Sequence, residues 1–117
     1  TMPEETLFTK IMNGDIPADI VYEDEYCIAI KDIAPKAPTH LLVIPRKPIP
    51  RLVDASLEDK ALLGHLMLAV GDIAKKAGVD EAFRVVINNG AGVGQTVFHL
   101  HLHILGNKAF SEDNLGF

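Results

Sequence analysis

From Phe98 to Leu105 the chain reads Phe-His-Leu-His-Leu-His-Ile-Leu, and no other stretch restricts the fold so tightly. Strict alternation is the period of a β-strand, whose side chains point to opposite faces in turn. His99, His101 and His103 therefore share one face, and Leu100, Leu102 and Ile104 the other. The apolar row demands a core behind it. The histidine row demands a different explanation: a lone histidine on a sheet is commonly structural, but three imidazoles side by side are not packing residues.

A core is affordable in a chain of 117 residues, 48% of them hydrophobic and 23% charged, and the length suits one domain spanning 1–117. Disorder and a coiled coil are excluded, and no run approaches the ~20 apolar residues of a membrane span. Residues 1–9 have neither the basic start nor the apolar run of a secretory signal, and Thr1 ahead of Met2 reads as a cloning remnant or a trimmed leader. Cys27 is the single cysteine, which suits a reducing, cytoplasmic compartment. A net charge of −5 argues against nucleic acid as a partner. The charge is uneven, with seven acids and one base in residues 1–30. Lys31, Lys36, Arg46, Lys47 and Arg51 then stand against Asp32 alone. That basic stretch is either a solvated surface or a field that attracts a small anion.

The remaining elements follow from period and punctuation. Leu7, Phe8, Ile11 and Met12 are spaced for a short helix, capped by Thr6 and stopped by Gly14. Val21–Tyr22, Tyr26–Ile30 and Thr39–Ile44 read as strands, the last closed by Pro45, Pro48 and Pro50. Ser56 and Asp59 form a capping-box pattern that opens the longest helix. Its apolar face is Leu62, Leu63, Leu66, Met67, Val70, Ile73 and Ala74, and it ends at Lys75, Lys76 and Gly78. Phe83–Ile87 and His99–Leu105 supply two more strands. Clustered strands with short links predict an α+β fold: an antiparallel five-stranded sheet with two helices covering one face.

The chemistry of the histidine row is open between a metal and a phosphate. At ~3.3 Å per residue, His99 and His103 stand roughly 13 Å apart, too far to converge on one ion. Neighbouring histidines could share one only with ligands from elsewhere, His40 among them, so no metal is expected there. The preceding loop favours phosphate. Gly90, Gly92 and Gly94 allow backbone amides to approach an anion, and Gln95 and Thr96 add side-chain donors. The spacing is not that of a dinucleotide site, because a strand follows where a helix would be needed. A neutral imidazole with one nitrogen held by a hydrogen bond can attack phosphorus with the other. Phosphoryl or nucleotidyl transfer through a covalent histidine is the chemistry these residues support.

These residues resemble the signature of the histidine triad nucleotide-binding proteins, His-φ-His-φ-His-φ-φ with φ apolar, at every position of His99 to Leu105. The stretch Asp32 to His40 with Leu42–Pro45, and the loop from Asn88 to Thr96, are similar to two further blocks of that family. The likeness covers about residues 7–106 and is closest to the purine nucleoside phosphoramidases. It implies a HIT-like fold, a homodimer that extends the sheet through the long helix and Phe83–Ile87, and no metal or cofactor. The implied activity is hydrolysis of purine nucleoside 5′-phosphoramidates and acyl-adenylates to AMP or GMP through a nucleotidyl-histidine.

By the same resemblance His101 is the nucleophile, and His103 and Asn88 hold the phosphate. Gln95 and Thr96 contact phosphate oxygens, Thr96 also lying near the leaving group. His40 and His99 orient the triad, and Asp32 accepts from the ribose hydroxyls. Leu7, Phe8, Ile11, Ile30 and Ile33 form the base slot, although pattern alone makes them core. Read by itself, His65 is a partly exposed helix residue and Cys27 a buried small hydrophobe. The tail, 107–117, departs from the family in lacking Trp and Pro, with Phe110 or Phe117 as candidate aromatic contacts. Other readings are a dinucleoside polyphosphate hydrolase, a nucleotide-binding regulator with incidental catalysis, and a zinc-binding module.

Overall fold

The structure, a computed structural model, describes residues 5–115; the readings of Thr1, Met2 and Phe117 fall outside them. Helix α1 spans Leu7–Met12 and helix α2 spans Lys60–Lys76. The strands are β1 (Ile20–Glu23), β2 (Cys27–Lys31), β3 (Thr39–Pro45), β4 (Phe83–Val86) and β5 (Leu102–Gly106). They form one sheet in the order β1-β2-β3-β5-β4, with every pairing antiparallel. The α+β architecture is the one anticipated.

Two details differ. The helices lie on opposite faces, because alternate residues of β2 separate into two clusters. Cys27 and Ala29 join Leu66, Val70, Ile73 and Ala74 of α2, while Ile28 and Ile30 join Phe8 and Ile11 of α1. Six residues of α1 are too few to cover a face, so the histidines occupy the rest of that side. The second difference is the start of β5, at Leu102 instead of His99. Its ladder with β3 runs from Thr39↔Gly106 to Val43↔Leu102. Beyond that, β3 leads into Pro45, Pro48 and Pro50, which have no N–H to donate. The proline segment can still accept, and Leu100 N–H bonds the Ile49 carbonyl at 2.7 Å.

The side-chain alternation nevertheless holds. Leu100, Leu102 and Ile104 are buried against α2, and His99 and His101 meet Phe8 of α1 edge-on. Both caps form as expected. Thr6 and Thr9 close a capping box at α1. Ser56 and Asp59 close one on a 3₁₀ turn, Leu57–Asp59, that leads into α2. Met67 turns outward and is half-exposed, whereas Ala69 is buried in its place.

Candidate active site

The histidines are brought together by register. Leu42 of β3 stands opposite His103 of β5, so His40, two residues away on the same face, is the diagonal neighbour of His103. Their rings meet with His40 Nε2 2.9 Å from His103 Nδ1. Asp32, just past β2, places Oδ2 3.4 Å from His40 Nε2.

Backbone atoms decide where each imidazole carries its proton. The Lys36 N–H donates to His40 Nδ1 at 3.0 Å, so neutral His40 is protonated on Nε2 and donates to His103. His103 then accepts on Nδ1 and carries its own proton on Nε2. His99 Nε2 donates to the Pro45 carbonyl at 2.6 Å, leaving Nδ1 to accept from the Thr6 hydroxyl at 2.7 Å. His101 Nδ1 donates to the His99 carbonyl at 2.7 Å. Its Nε2 therefore holds an unprotonated lone pair. Of the triad, only His101 has its donor role fixed on Nδ1, and so only it is left with a nucleophilic nitrogen at the far end of the ring.

Burial keeps these rings uncharged. His40, His99, His101 and His103 are all buried. Burial lowers the pKa of His101, against the supporting His99 carbonyl and the Asp32 charge. Burial likewise lowers that of His99. His40 is pulled down by burial, with Asp32 opposing. His103 falls furthest, to about 4, through burial and then the neighbouring His101 and His40. An array of neutral imidazoles at neutral pH is what a nucleophile with donor partners requires.

A cavity of about 460 Å³ opens beside these groups, lined by Asp32, His40, Asn88, Gly94, Thr96 and His103 among others. His101 lies between Phe8 and His103, with ring centroids 5.0 and 5.1 Å away. Thus Asp32, His40, Asn88, Thr96 and His103 line one cavity, with His101 beside His103 and His99 behind it. Other expectations need correction. The Gln95 side chain is buried: Oε1 accepts from Gly90 N–H at 2.7 Å, and Nε2 donates to the Pro50 and Val97 carbonyls. It staples the loop instead of facing the cavity. The loop's amides also turn inward, with Val93, Gly94 and Gln95 N–H groups on Gly90 and Ala91 carbonyls. Gly90 and Gly94 sit at φ +108° and +99°, where a side chain would be strained; Gly92 does not. Phe8, Ile11 and Ile30 are buried in one cluster, but Leu7 is half-exposed on a separate hollow with Thr96. Ile33 is 99% exposed and encloses nothing in this single chain.

Of the five bases in the basic stretch, Lys31, Arg46, Lys47 and Arg51 pair with acids, as a solvated surface does. Lys36 lines the cavity.

The HIT domain family model matches residues 13–110. The chain belongs to the HIT family. An uncharacterised HIT-like protein of Synechocystis is 59% identical over 94% of this chain and 96% of its own length. The purine nucleoside phosphoramidase of Escherichia coli K12 is 42% identical, over 92% and 91% respectively. Among solved structures, a HIT family hydrolase from Legionella pneumophila superposes with a TM-score of 0.88 at 41% identity, covering 92% of this chain and 97% of that one.

Three groups around the histidines escape a reading by residue type. Thr6 signals only a helix cap, yet its hydroxyl also reaches His99, 93 residues away. The Pro45 carbonyl and Lys36 N–H belong to the backbone, and no side-chain pattern reports where they point. Asp32, His40 and His103 also bring one ligand atom each within 4.8 Å of the others, a donor set that suits a cation. Among the described residues no helix is long and apolar enough to cross a membrane.

Proposed function

We propose that this HIT protein hydrolyses purine nucleoside 5′-phosphoramidates and related acyl-adenylates, releasing AMP or GMP. The observation that carries the reading is the bond from His101 Nδ1 to the His99 carbonyl, which leaves Nε2 as a lone pair on a buried, neutral ring. His101 Nε2 attacks the α-phosphorus, the bond from phosphorus to the leaving nitrogen or oxygen breaks, and a nucleotidyl-imidazolium forms. The departing amine takes a proton from solvent. Water then attacks the same phosphorus, releases the nucleotide and returns the lone pair to Nε2, its spare proton going to solvent. The His99 carbonyl stabilises the charge that the ring acquires in the first step.

In this reading the remaining residues take the other roles. His103 Nε2–H, polarised from behind by His40, donates to a phosphoryl oxygen. Asn88 and the exposed Thr96 hydroxyl bind at the cavity wall, Thr96 towards the leaving group. Asp32, half-buried at the mouth, accepts from ribose hydroxyls, and Gln95 acts by holding the loop. Phe8, Ile11 and Ile30 back the base slot, with Leu7 and Ile33 at its rim. No cofactor enters the sequence of steps, and the imidazole, already unprotonated, needs no metal to activate it. A homodimer fits the exposed features. Strand β4 is a sheet edge, and α2 presents Met67 and Leu68 to solvent; pairing of two copies would cover both. A cytoplasmic setting suits a lone, reduced Cys27.

The test is hydrolysis of a fluorogenic adenosine 5′-phosphoramidate in excess chelator, wild type beside His101→Ala. Turnover confined to the wild type supports the reading. Turnover surviving in the variant overturns the nucleophile, and none in either protein, with AMP still bound, leaves a nucleotide-binding protein.

A further inference from the structure

Away from the cavity, on the α2 side of the sheet, a second polar cluster gathers around Asp24 in the β1–β2 turn. Its Oδ1 accepts the N–H groups of Tyr26 and Cys27, at 2.7 and 2.9 Å. Its Oδ2 receives three side-chain donors: His65 Nε2 at 2.7 Å, the Tyr22 hydroxyl at 2.8 Å and the Cys27 thiol at 3.6 Å. One ligand atom each from Asp24, Cys27 and His65 lies within 4.8 Å of the other two. We propose that Asp24, Cys27 and His65 form a zinc site, distinct from the nucleotide cavity, that ties the β1–β2 turn to helix α2.

The donor set selects the metal. A thiolate, an imidazole and a carboxylate suit zinc, whereas magnesium and calcium take oxygen. Bonds of ~2.0–2.3 Å at tetrahedral angles hold donors roughly 3.3–3.8 Å apart. The Cys27–Asp24 separation of 3.6 Å already falls in that range, and the His65–Asp24 separation of 2.7 Å has to open by less than about 1 Å. The charges balance. Cys27 gives up its proton to solvent, His65 binds through Nε2 with a proton on Nδ1, and one carboxylate plus one thiolate cancel the dication. Without a cation the thiol stays protonated, since burial and the Asp24 charge push its pKa up to about 12.

The surroundings are built to hold such a site. Cys27 is wholly buried, while the side chains of Asp24 and His65 are 22% and 34% exposed, so an ion can reach them from solvent. The amides on Oδ1 and the Tyr22 hydroxyl on Oδ2 fix the carboxylate from outside, the support that metal-binding carboxylates need. Arg46 is the nearby cation. Its Nε bonds the Asp24 carbonyl and its guanidinium pairs with Glu23 at 3.5 Å, so its charge is partly answered.

Cobalt(II) titrated into chelator-treated protein tests the site, because a cysteine ligand gives a thiolate-to-cobalt charge-transfer band in the near ultraviolet. We expect a band saturating at one cobalt per chain and displaced by zinc. It should be absent in Cys27→Ser, and His65→Gln should bind cobalt at least about tenfold more weakly with an unchanged circular dichroism spectrum. Asp32, His40 and His103 contain no sulfur, so cobalt bound there cannot produce the band. No band up to millimolar cobalt, or a band of undiminished affinity in His65→Gln, overturns the proposal. Should Cys27→Ser not fold, the wild type and His65→Gln decide it between them.

Discussion

The two faces of the central sheet are built from the same strands on different physical terms. Towards α2, Ala29, Leu41, Val43, Leu102 and Ile104 bury aliphatic surface, and hydrophobic attraction has no direction. Towards α1, His40, His99, His101 and His103 are equally buried, but each keeps its proton on the nitrogen that its hydrogen bonds select. The first face tolerates exchanges of similar volume. The second depends on where single carbonyl and amide groups point. The difference teaches that burial on one side supports stability and on the other sets charge state, so substitutions should separate the two.

The widest separation is between His101→Ala and Leu102→Ala, adjacent residues on opposite faces. Loss of the His101 ring should cut turnover of an adenosine phosphoramidate by at least ~10³-fold, about 4 kcal/mol in the barrier. The thermal midpoint should move little. Leu102→Ala should do the reverse, lowering stability by about 2–5 kcal/mol through lost burial and a cavity. Its turnover per folded molecule should stay near that of the wild type. Urea melts and active-site-normalised kcat values measure both. If Leu102→Ala abolishes turnover while folded, the faces are not independent.

Acid should expose the same contrast. The four buried histidines have folded pKa values below the ordinary 6.5, His103 at about 4. Below pH ~6.5 the unfolded chain takes up protons that the folded one refuses, so stability should fall as pH drops from about 6.5 towards 4. The slope is at most about 1.4 kcal/mol per pH unit for each histidine titrating. The acid limb of kcat/KM should likewise lie below pH 6.5, because His101 remains a free base there. An acid limb at or above pH 6.5 would contradict the neutral array.

Much of this was legible beforehand because it rests on side-chain pattern. Alternation from His99 to Leu105 separates the faces, and the Thr6 and Ser56 caps mark where regular structure begins. What stayed hidden depends on backbone direction or long-range pairing. Three prolines end the β3–β5 ladder at Leu102, but they do not announce that their carbonyls will meet His99 and Gln95. Gln95 looks like a phosphate donor by type, and only the closed loop shows both ends of its amide engaged. The Asp24 cluster draws on residues 22, 24, 27 and 65, and no periodicity links a turn to the middle of a helix.

Thr6→Val gives the smallest effect and the finest test of the contrast, because one hydroxyl serves both purposes. It caps α1 by accepting the Thr9 N–H at 3.1 Å, and it donates to His99 Nδ1 at 2.7 Å. Valine keeps the shape and removes both bonds. Loss of the cap should cost about 1 kcal/mol of stability. Loss of the bond to His99, at ~0.5–1.5 kcal/mol, should slow kcat by about 2–10-fold with little change in KM, since in the proposed reaction His99 acts on His101 through its carbonyl. Thr6→Ser should restore both. If Thr6→Val lowers the melting midpoint yet leaves kcat unchanged, the hydroxyl is a helix cap alone, and the hydrogen-bonded chain that orients His101 begins at the Pro45 carbonyl.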